Sequence, residues 1–274
     1  DAFITFVDGE NNDVLVPGGN YYTHEAFAEY IREAKPYAVT FAFEAQDEFE
    51  YVINLICDFV GSIHLCAKHN KVFDFSPLEK CTELDAIMMY WNTKQATLWD
   101  VKKNTKLRSF EMTDYYSISD MSVFRGSSVE MLRFFGCNSC SSFVSRMHVD
   151  DFSFVLDMPK LTELRFDIVK DEPSEYYLDI LSKLQGLKIF YTPDSFFTFQ
   201  QFAWLKAKLP NVEKGLDCVF TGSACDGAFY SIIGRRTPKS LHDATKAEKY
   251  QNRYDALVAK YQTRENPPSD DEKD

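Results

Sequence analysis

The run Leu84-Asp85-Ala86-Ile87-Met88-Met89 carries apolar side chains at its first, fourth and sixth positions, and that spacing returns along the chain. It recurs at Leu107, Phe110 and Met112, at Val129, Leu132 and Phe134, and at Leu161, Leu164 and Phe166. Upstream, Val60, Ile63 and Leu65 fit it, as do Ala38, Phe41 and Phe43. Downstream, Leu187 and Phe190 keep two of the three positions, and Val212 begins a degenerate last copy. The first positions, 38, 60, 84, 107, 129, 161, 187 and 212, are separated by 22, 24, 23, 22, 32, 26 and 25 residues. One triplet means little in a chain that is 45% hydrophobic. Eight copies with six intervals in a narrow band define a repeat, and repeats of this length build stacked architectures. An insertion of about nine residues between Gly136 and Leu161 accounts for the long interval.

Positions four and six point one way from an extended chain, and positions three, five and seven the other. The pattern therefore predicts short strands centred on residues 41, 63, 87, 110, 132, 164 and 190, stacked in one parallel sheet. The segment after each strand must close the back of the core. Phe49, Val52, Ile53, Ile56 and Phe59 recur on one helical face, and Tyr177, Leu181 and Leu184 do likewise. Thr198-x-x-Gln201 reads as a capping box before Phe202, Leu205 and Leu209. Between Leu84 and Phe110 the connection through Leu98, Trp99 and Val101 is too short for a long helix, so the back should mix helices with turns.

With Asn92 at the ninth position of one copy and Cys137 at that of another, the pattern resembles the leucine-rich-repeat family, whose unit runs Leu-x-x-Leu-x-Leu-x-x-Asn/Cys. Gln46, Lys68, Tyr115 and Val169 depart from that ninth position. The resemblance covers roughly residues 36–215. It implies an α/β leucine-rich-repeat solenoid with a parallel sheet on its concave face and helices and turns on its convex face.

The ends read as caps, which a repeat stack needs to cover its terminal copies. Phe3 to Val7 and Val14 to Val16, joined by the polar run Asp8 to Asp13, predict a β-hairpin. A helix from about Thr23 to Glu33 comes next, with Phe27, Tyr30 and Ile31 inward. Residues 1–35 thus form an N-terminal cap, and 36–215 the repeats. In the C-terminal cap, 216–263, strands near Cys218 to Phe220 and Phe229 to Ile233 precede a long helix. Its inward residues are Tyr250, Tyr254, Leu257, Val258 and Tyr261. Residues 264–274, with two prolines and five acids, read as a disordered tail, and the whole as one structural domain. The Gly234-Arg235-Arg236-Thr237-Pro238 segment before a Lys/Tyr-rich terminal helix resembles the ending of some bacterial intracellular repeat proteins.

Composition narrows the chemistry. Forty-two acids against 30 Lys and Arg give a net charge of −12, which argues against a nucleic-acid partner. No apolar stretch is long enough to span a membrane. Seven cysteines, mostly within hydrophobic stretches, favour a reducing cytoplasm; the start at Asp1 leaves open a removed leader. Cys137-Asn-Ser-Cys140 is the one metal- or redox-like spacing, but no second Cys or His pair completes it, and Cys137 falls on the repeat's own Asn/Cys position. Cys137 is expected to be buried and reduced, with no metal. His24, His64, His69, His148 and His242 are scattered, with His64 expected exposed on the inner face. No phosphate-loop spacing occurs. No cofactor, no metal and no catalytic residue is expected.

The solvent-facing side of the predicted strands is more informative. It carries Met88, Tyr90 and Trp91, then Glu111, then Met131, Arg133 and Phe135, then Arg165 and Asp167, then Tyr191. Apolar surface rimmed by charge marks contact sites, and Trp, Tyr and Arg dominate interface hot spots. The aromatic residues could instead pack across strands. The expectation is a non-enzymatic module that binds a protein partner through the concave face. The alternative is a small-molecule or glycan binder, or a hydrolase whose site lies in the non-repeat ends.

Overall fold

The computed structural model describes residues 2–6, 14–16, 20–22, 24–136, 146–224 and 227–272. It divides into two compact units, Asp1–Leu161 with Asp167–Val169, and Thr162–Phe166 with Lys170–Asp274. The chain is α/β, its parallel strands alternating with helices and short 3-10 turns.

In the first unit the strands are β1 (Ala2–Phe6), β2 (Val14–Val16), β3 (Asn20–Tyr22), β4 (Ala38–Phe43), β5 (Ser62–Ala67), β6 (Ala86–Tyr90), β7 (Ser109–Thr113) and β8 (Met131–Phe135). From β4 to β8 they pair in parallel in chain order. The expected hairpin forms as β1 and β2, and β3 adds to it antiparallel. β1 also pairs in parallel with β4, so the N-terminal segment extends the repeat sheet by direct hydrogen bonding. The polar run 8–13 lies outside the described residues.

Burial follows the predicted alternation: Ile63, Leu65, Ile87, Met89, Phe110, Met112, Leu132 and Phe134 are all at most 2% exposed. One frame moves. Val39 lies opposite Ile63 and Phe41 opposite Leu65. Val39 and Phe41 are therefore the fourth and sixth positions of the first copy, and its first position falls on Pro36 rather than Ala38. Slipping a strand by two residues keeps every side chain on its face, so the apolar pattern could not distinguish the two frames. The extra rung is Phe43, opposite Ala67, whose ring meets Phe73 edge-on at 4.8 Å.

Behind the sheet lie helices α1 (His24–Ala34) and α2 (Gln46–Ile56), then 3-10 turns at Ser76–Lys80, Val101–Lys103, Ser122–Phe124 and Phe152–Asp157. In α1, Phe27 and Ile31 are buried as expected, but Tyr30 is exposed and Ala28 takes its place inside. Phe49, Val52, Ile53 and Ile56 of α2 are fully buried. Aromatic rings run through this core: Phe75 meets Trp99 at 6.5 Å, Trp99 meets Phe110 at 5.8 Å, Phe110 meets Phe124 at 4.8 Å, and Phe124 meets Phe154 at 6.2 Å.

Turns packed this tightly leave backbone carbonyls and amides that water cannot reach, and buried amide side chains satisfy them. Asn92, fully buried at the ninth position of its copy, donates to Lys71 O at 3.0 Å and accepts from the Lys94 and Gln95 N–H groups. Gln95 exchanges two 2.9 Å bonds with the Phe73 backbone. Asn104 donates to Leu78 O at 2.8 Å and Cys81 O at 2.9 Å, and accepts from Trp99 Nε1 at 2.7 Å.

The second unit contains parallel strands β9 (Glu163–Phe166) and β10 (Ile189–Tyr191), helices α3 (Ser174–Leu181) and α4 (Phe199–Lys208), the antiparallel pair β11 (Val219–Ala224) and β12 (Gly227–Ile232), and α5 (Ala244–Tyr261). The last, degenerate copy keeps its register: Lys214 bridges Ile189 in parallel, and Leu187 and Val212 are buried. Gly215 then turns back with φ +95°, where an added Cβ would lie 1.6 Å from Phe190 O. The capping box of α4 is in place, with Gln201 N–H to Thr198 Oγ1 at 3.2 Å and Thr198 N–H to Gln201 Oε1 at 3.0 Å. Tyr254, Leu257 and Tyr261 of α5 face inward, whereas Tyr250 and Val258 are only half-buried. Residues 264–272, expected as part of a disordered tail, are instead tied down: Pro268 is buried and Asp270 is hydrogen-bonded by Ser174 and Gln201. Among the described residues no helix is long and apolar enough to cross a membrane.

Asn104→Ala should lower the stability of the chain by about 3 kcal/mol or more. It strands two buried carbonyls and an indole N–H, each worth about 1–3 kcal/mol when left unpaired. A shift in the urea midpoint corresponding to less than about 1 kcal/mol would show that these bonds do not hold the turns together.

Candidate functional site

The parallel register sets the side chains of the open face in rows. Ser62, Ala86, Ser109 and Met131 form one, His64, Met88, Glu111 and Arg133 the next, and Cys66, Tyr90, Thr113 and Phe135 the third. Of the expected contact residues, the first unit thus brings together Met88, Tyr90, Glu111, Met131, Arg133 and Phe135, with Trp91 just beyond the end of β6. Met88 is 37% exposed and Trp91 56%, while Tyr90, Glu111, Met131, Arg133 and Phe135 are half-buried. Arg133 Nη1 donates to Glu111 Oε2 at 3.1 Å across adjacent strands, so the charges in this row are paired.

Asp167, expected on the open face, is 7% exposed. It is paired with Arg146 Nε at 2.9 Å, and burial raises its carboxyl above the ordinary range despite that guanidinium. Its backbone N–H bonds Phe134 O, which draws it in beside the strand end. In the second unit, Arg165 donates from Nε to the buried Glu163 at 2.6 Å, and its guanidinium lies 4.5 Å from the centre of the Tyr191 ring. Glu163 was not an expected site residue. A carboxylate at a third position signals its role only once Arg165, two residues on, is known to share its face.

Trp91 ends β6 in the left-handed conformation, φ +62°, and its N–H caps Thr113 O at 2.9 Å. Asp114 repeats the device one copy later, with φ +64° and its N–H on Phe135 O at 3.0 Å. A bulky residue in this region is strained, and here the strand ladder holds it there. The indole stacks on His69, ring centres 5.5 Å apart and planes at 18°. Residues 69 and 91 are one repeat interval apart, which was the available signal for their meeting.

Around this pair lies a pocket of about 410 Å³, lined by Ala42, Phe43, Glu44, Cys66, Ala67, Lys68, His69 and Trp91. It opens where β4 and β5 end, and Lys68 bridges to Glu44 across it at 2.5 Å. Cys66 Sγ lies 4.0 Å from His64 Nε2. Burial pushes the Cys66 thiol up and the His64 imidazole down, the latter against the attraction of Glu111. Both groups are held neutral, the reverse of the thiolate–imidazolium pair that nucleophilic chemistry needs. His64, expected exposed, is half-buried between Thr40 and Met88 of the adjacent strands.

Burial pushes the Cys81 and Cys218 thiols up to about 12, and both are free. Cys137 and Cys140 lie outside the described residues. Among the described residues no group of three or more His, Cys, Asp or Glu side chains is placed to hold a metal ion. No protein-family model matches the chain, and no curated protein matches it in sequence.

His64 should titrate below the ordinary imidazole value of 6.5. A folded-state value below the unfolded one means that the unfolded chain binds the proton first. This contribution to stability is therefore complete above 6.5 and is lost as pH falls through the lower folded value. Thermal melts should show the wild type losing stability relative to His64→Gln as pH falls through this range. An NMR titration of the ring placing its midpoint at or above 6.5 would contradict the assignment.

Proposed function

We propose that this chain is a non-enzymatic interaction module of the leucine-rich-repeat type, binding a protein partner through the open, concave face of its repeat sheet. The observation that carries the reading is the juxtaposition of exposed Met88 and Trp91 with the Glu111–Arg133 pair on adjacent strands. Apolar surface bordered by a fixed charge pair is what protein interfaces present, and Trp and Arg carry most of their energy. The neutral Cys66 and His64 argue against covalent chemistry at this face. The net charge of −12 argues against a nucleic-acid ligand.

One observation favours a second reading. The pocket of about 410 Å³ beside the Trp91–His69 stack has the size of a small-molecule site and an aromatic wall against which a planar ligand or a sugar ring could lie. Binding there would not need Met88 or Arg133, whereas a protein partner spanning the rows would.

Trp91 is the cleaner probe. Its exposed ring can be removed with little loss of stability, about 0.5 kcal/mol. Arg133→Ala would strand Glu111, whose side chain is only 17% exposed, and so would confuse binding with folding. A partner captured by the wild-type chain and identified should bind Trp91→Ala about tenfold more weakly or worse, at an unchanged melting temperature. Met88→Ala should weaken it as well. Equal affinity for all three proteins would remove the open face as the partner site, and loss with Trp91→Ala alone would favour the small-molecule reading.

A further inference from the structure

The second unit holds a segment of its own chain in the way that a receptor holds a peptide. Gln201, Trp204 and Lys208 are spaced three and four residues apart, so they share one face of α4. Each donates to a main-chain carbonyl of the segment after α5: Lys208 Nζ to Gln262 O at 3.2 Å, Trp204 Nε1 to Arg264 O at 3.2 Å, and Gln201 Nε2 to Pro268 O at 3.0 Å. The segment runs antiparallel to the helix and has no strand or helix of its own from 264 to 272. These contacts read main-chain carbonyls, and the segment holds its turned shape through Arg264, which bonds Asn266 O and pairs with Glu272.

Specificity comes at the far end. Asp270 Oδ1 accepts from Ser174 Oγ at 2.6 Å and Gln201 Nε2 at 3.1 Å, pairs with Arg235 Nη2, and lies 3.7 Å from Lys170 Nζ. Ser174 and Gln201 are fully buried. Burial by itself would raise the Asp270 carboxyl, but the hydroxyl, the amide and the two cations outweigh burial and hold it below the ordinary range. Two cations thus converge on one carboxylate. Beside them a cavity of about 480 Å³, walled in part by Thr198, Gln200 and Arg236, reaches the same anchor, and Arg235 Nε is buried there without a hydrogen-bond partner. The segment also matches in charge, with Glu265, Asp270 and Asp271 left over once Arg264 is paired with Glu272.

We infer that the α4 face and the Lys170–Ser174–Gln201–Arg235 cradle form a binding site for acidic peptides carrying Pro-x-Asp, which residues 262–272 fill in cis as a displaceable latch. The site shares no residue with the open sheet face, and its test does not depend on that reading. A tethered segment competes at an effective concentration of about millimolar, so a peptide in trans meets the cradle only when the latch is weakened or the peptide is in large excess.

The probe is a fluorescein-labelled peptide with the sequence of residues 262–272, added to the full chain. Asp270→Ala should open the cradle and bind the peptide saturably, about tenfold or more tighter than wild type does. Adding Arg235→Ala should abolish that gain, and a peptide with Ala in place of its first Asp should not bind. Absence of saturable binding to a folded Asp270→Ala chain, or binding indifferent to Arg235, overturns the inference. Should Asp270→Ala fail to fold, wild type is used with unlabelled peptide at about millimolar concentration. Hydrogen exchange within 262–272 must then rise as the segment is displaced, and unchanged exchange overturns the inference equally.

Discussion

A five-residue strand can send only two or three side chains to one side, too few to make a core alone. The architecture of the first unit is a consequence of that limit. Ile87 and Met89 become buried only because Ile63 and Leu65 lie on one side of them, Phe110 and Met112 on the other, and a turn closes behind. The inward side chains of each strand thus depend on those of the neighbouring strands for their burial. The parallel pairing of β1 with β4 belongs to the same logic, since it covers a strand edge that would otherwise be open.

Close stacking creates a second demand. The turns behind the sheet are too short and too buried for water to serve their backbone groups, and Asn92, Gln95 and Asn104 do so in its place. These amides tie each turn to the one before it, 21 to 26 residues back in the chain. The aromatic contacts from Phe75 through Trp99, Phe110 and Phe124 fill the space between. Side chains on the open face contribute little to the core, so the face can carry Met88, a paired Glu111–Arg133, and a tryptophan held in a strained backbone.

The two candidate surfaces are built on different principles. The open face offers side chains set in rows by strand register. The α4 groove offers donors set at helical spacing and aimed at a backbone, with a carboxylate anchor at one end. The first is suited to a shaped partner, the second to a short peptide segment.

The spacing of apolar residues was enough to determine the strands, their alternation and the mixture of helices and turns behind them, because burial on one side of a strand leaves a period of two that survives in any context. It also identified the face that carries Met88, Trp91, Glu111 and Arg133, while the polar Thr198-x-x-Gln201 motif identified the N-terminal cap of α4. It could not determine the frame of the first copy, because a two-residue slip preserves the period. Nor could it show that Asp167 turns inward to Arg146, that Asn104 holds two carbonyls and an indole, or that Asp270 docks into a cradle assembled from residues 170, 174, 201 and 235. Those arrangements join residues far apart in the chain through hydrogen bonds whose partners have no fixed spacing. Composition marked 264–274 as an unfolded acidic tail, since acids and prolines cannot build a core. Tertiary structure decided otherwise for residues 264–272, because a carboxylate surrounded by donors, two of them on fully buried side chains, needs no apolar surface of its own to hold a segment in place.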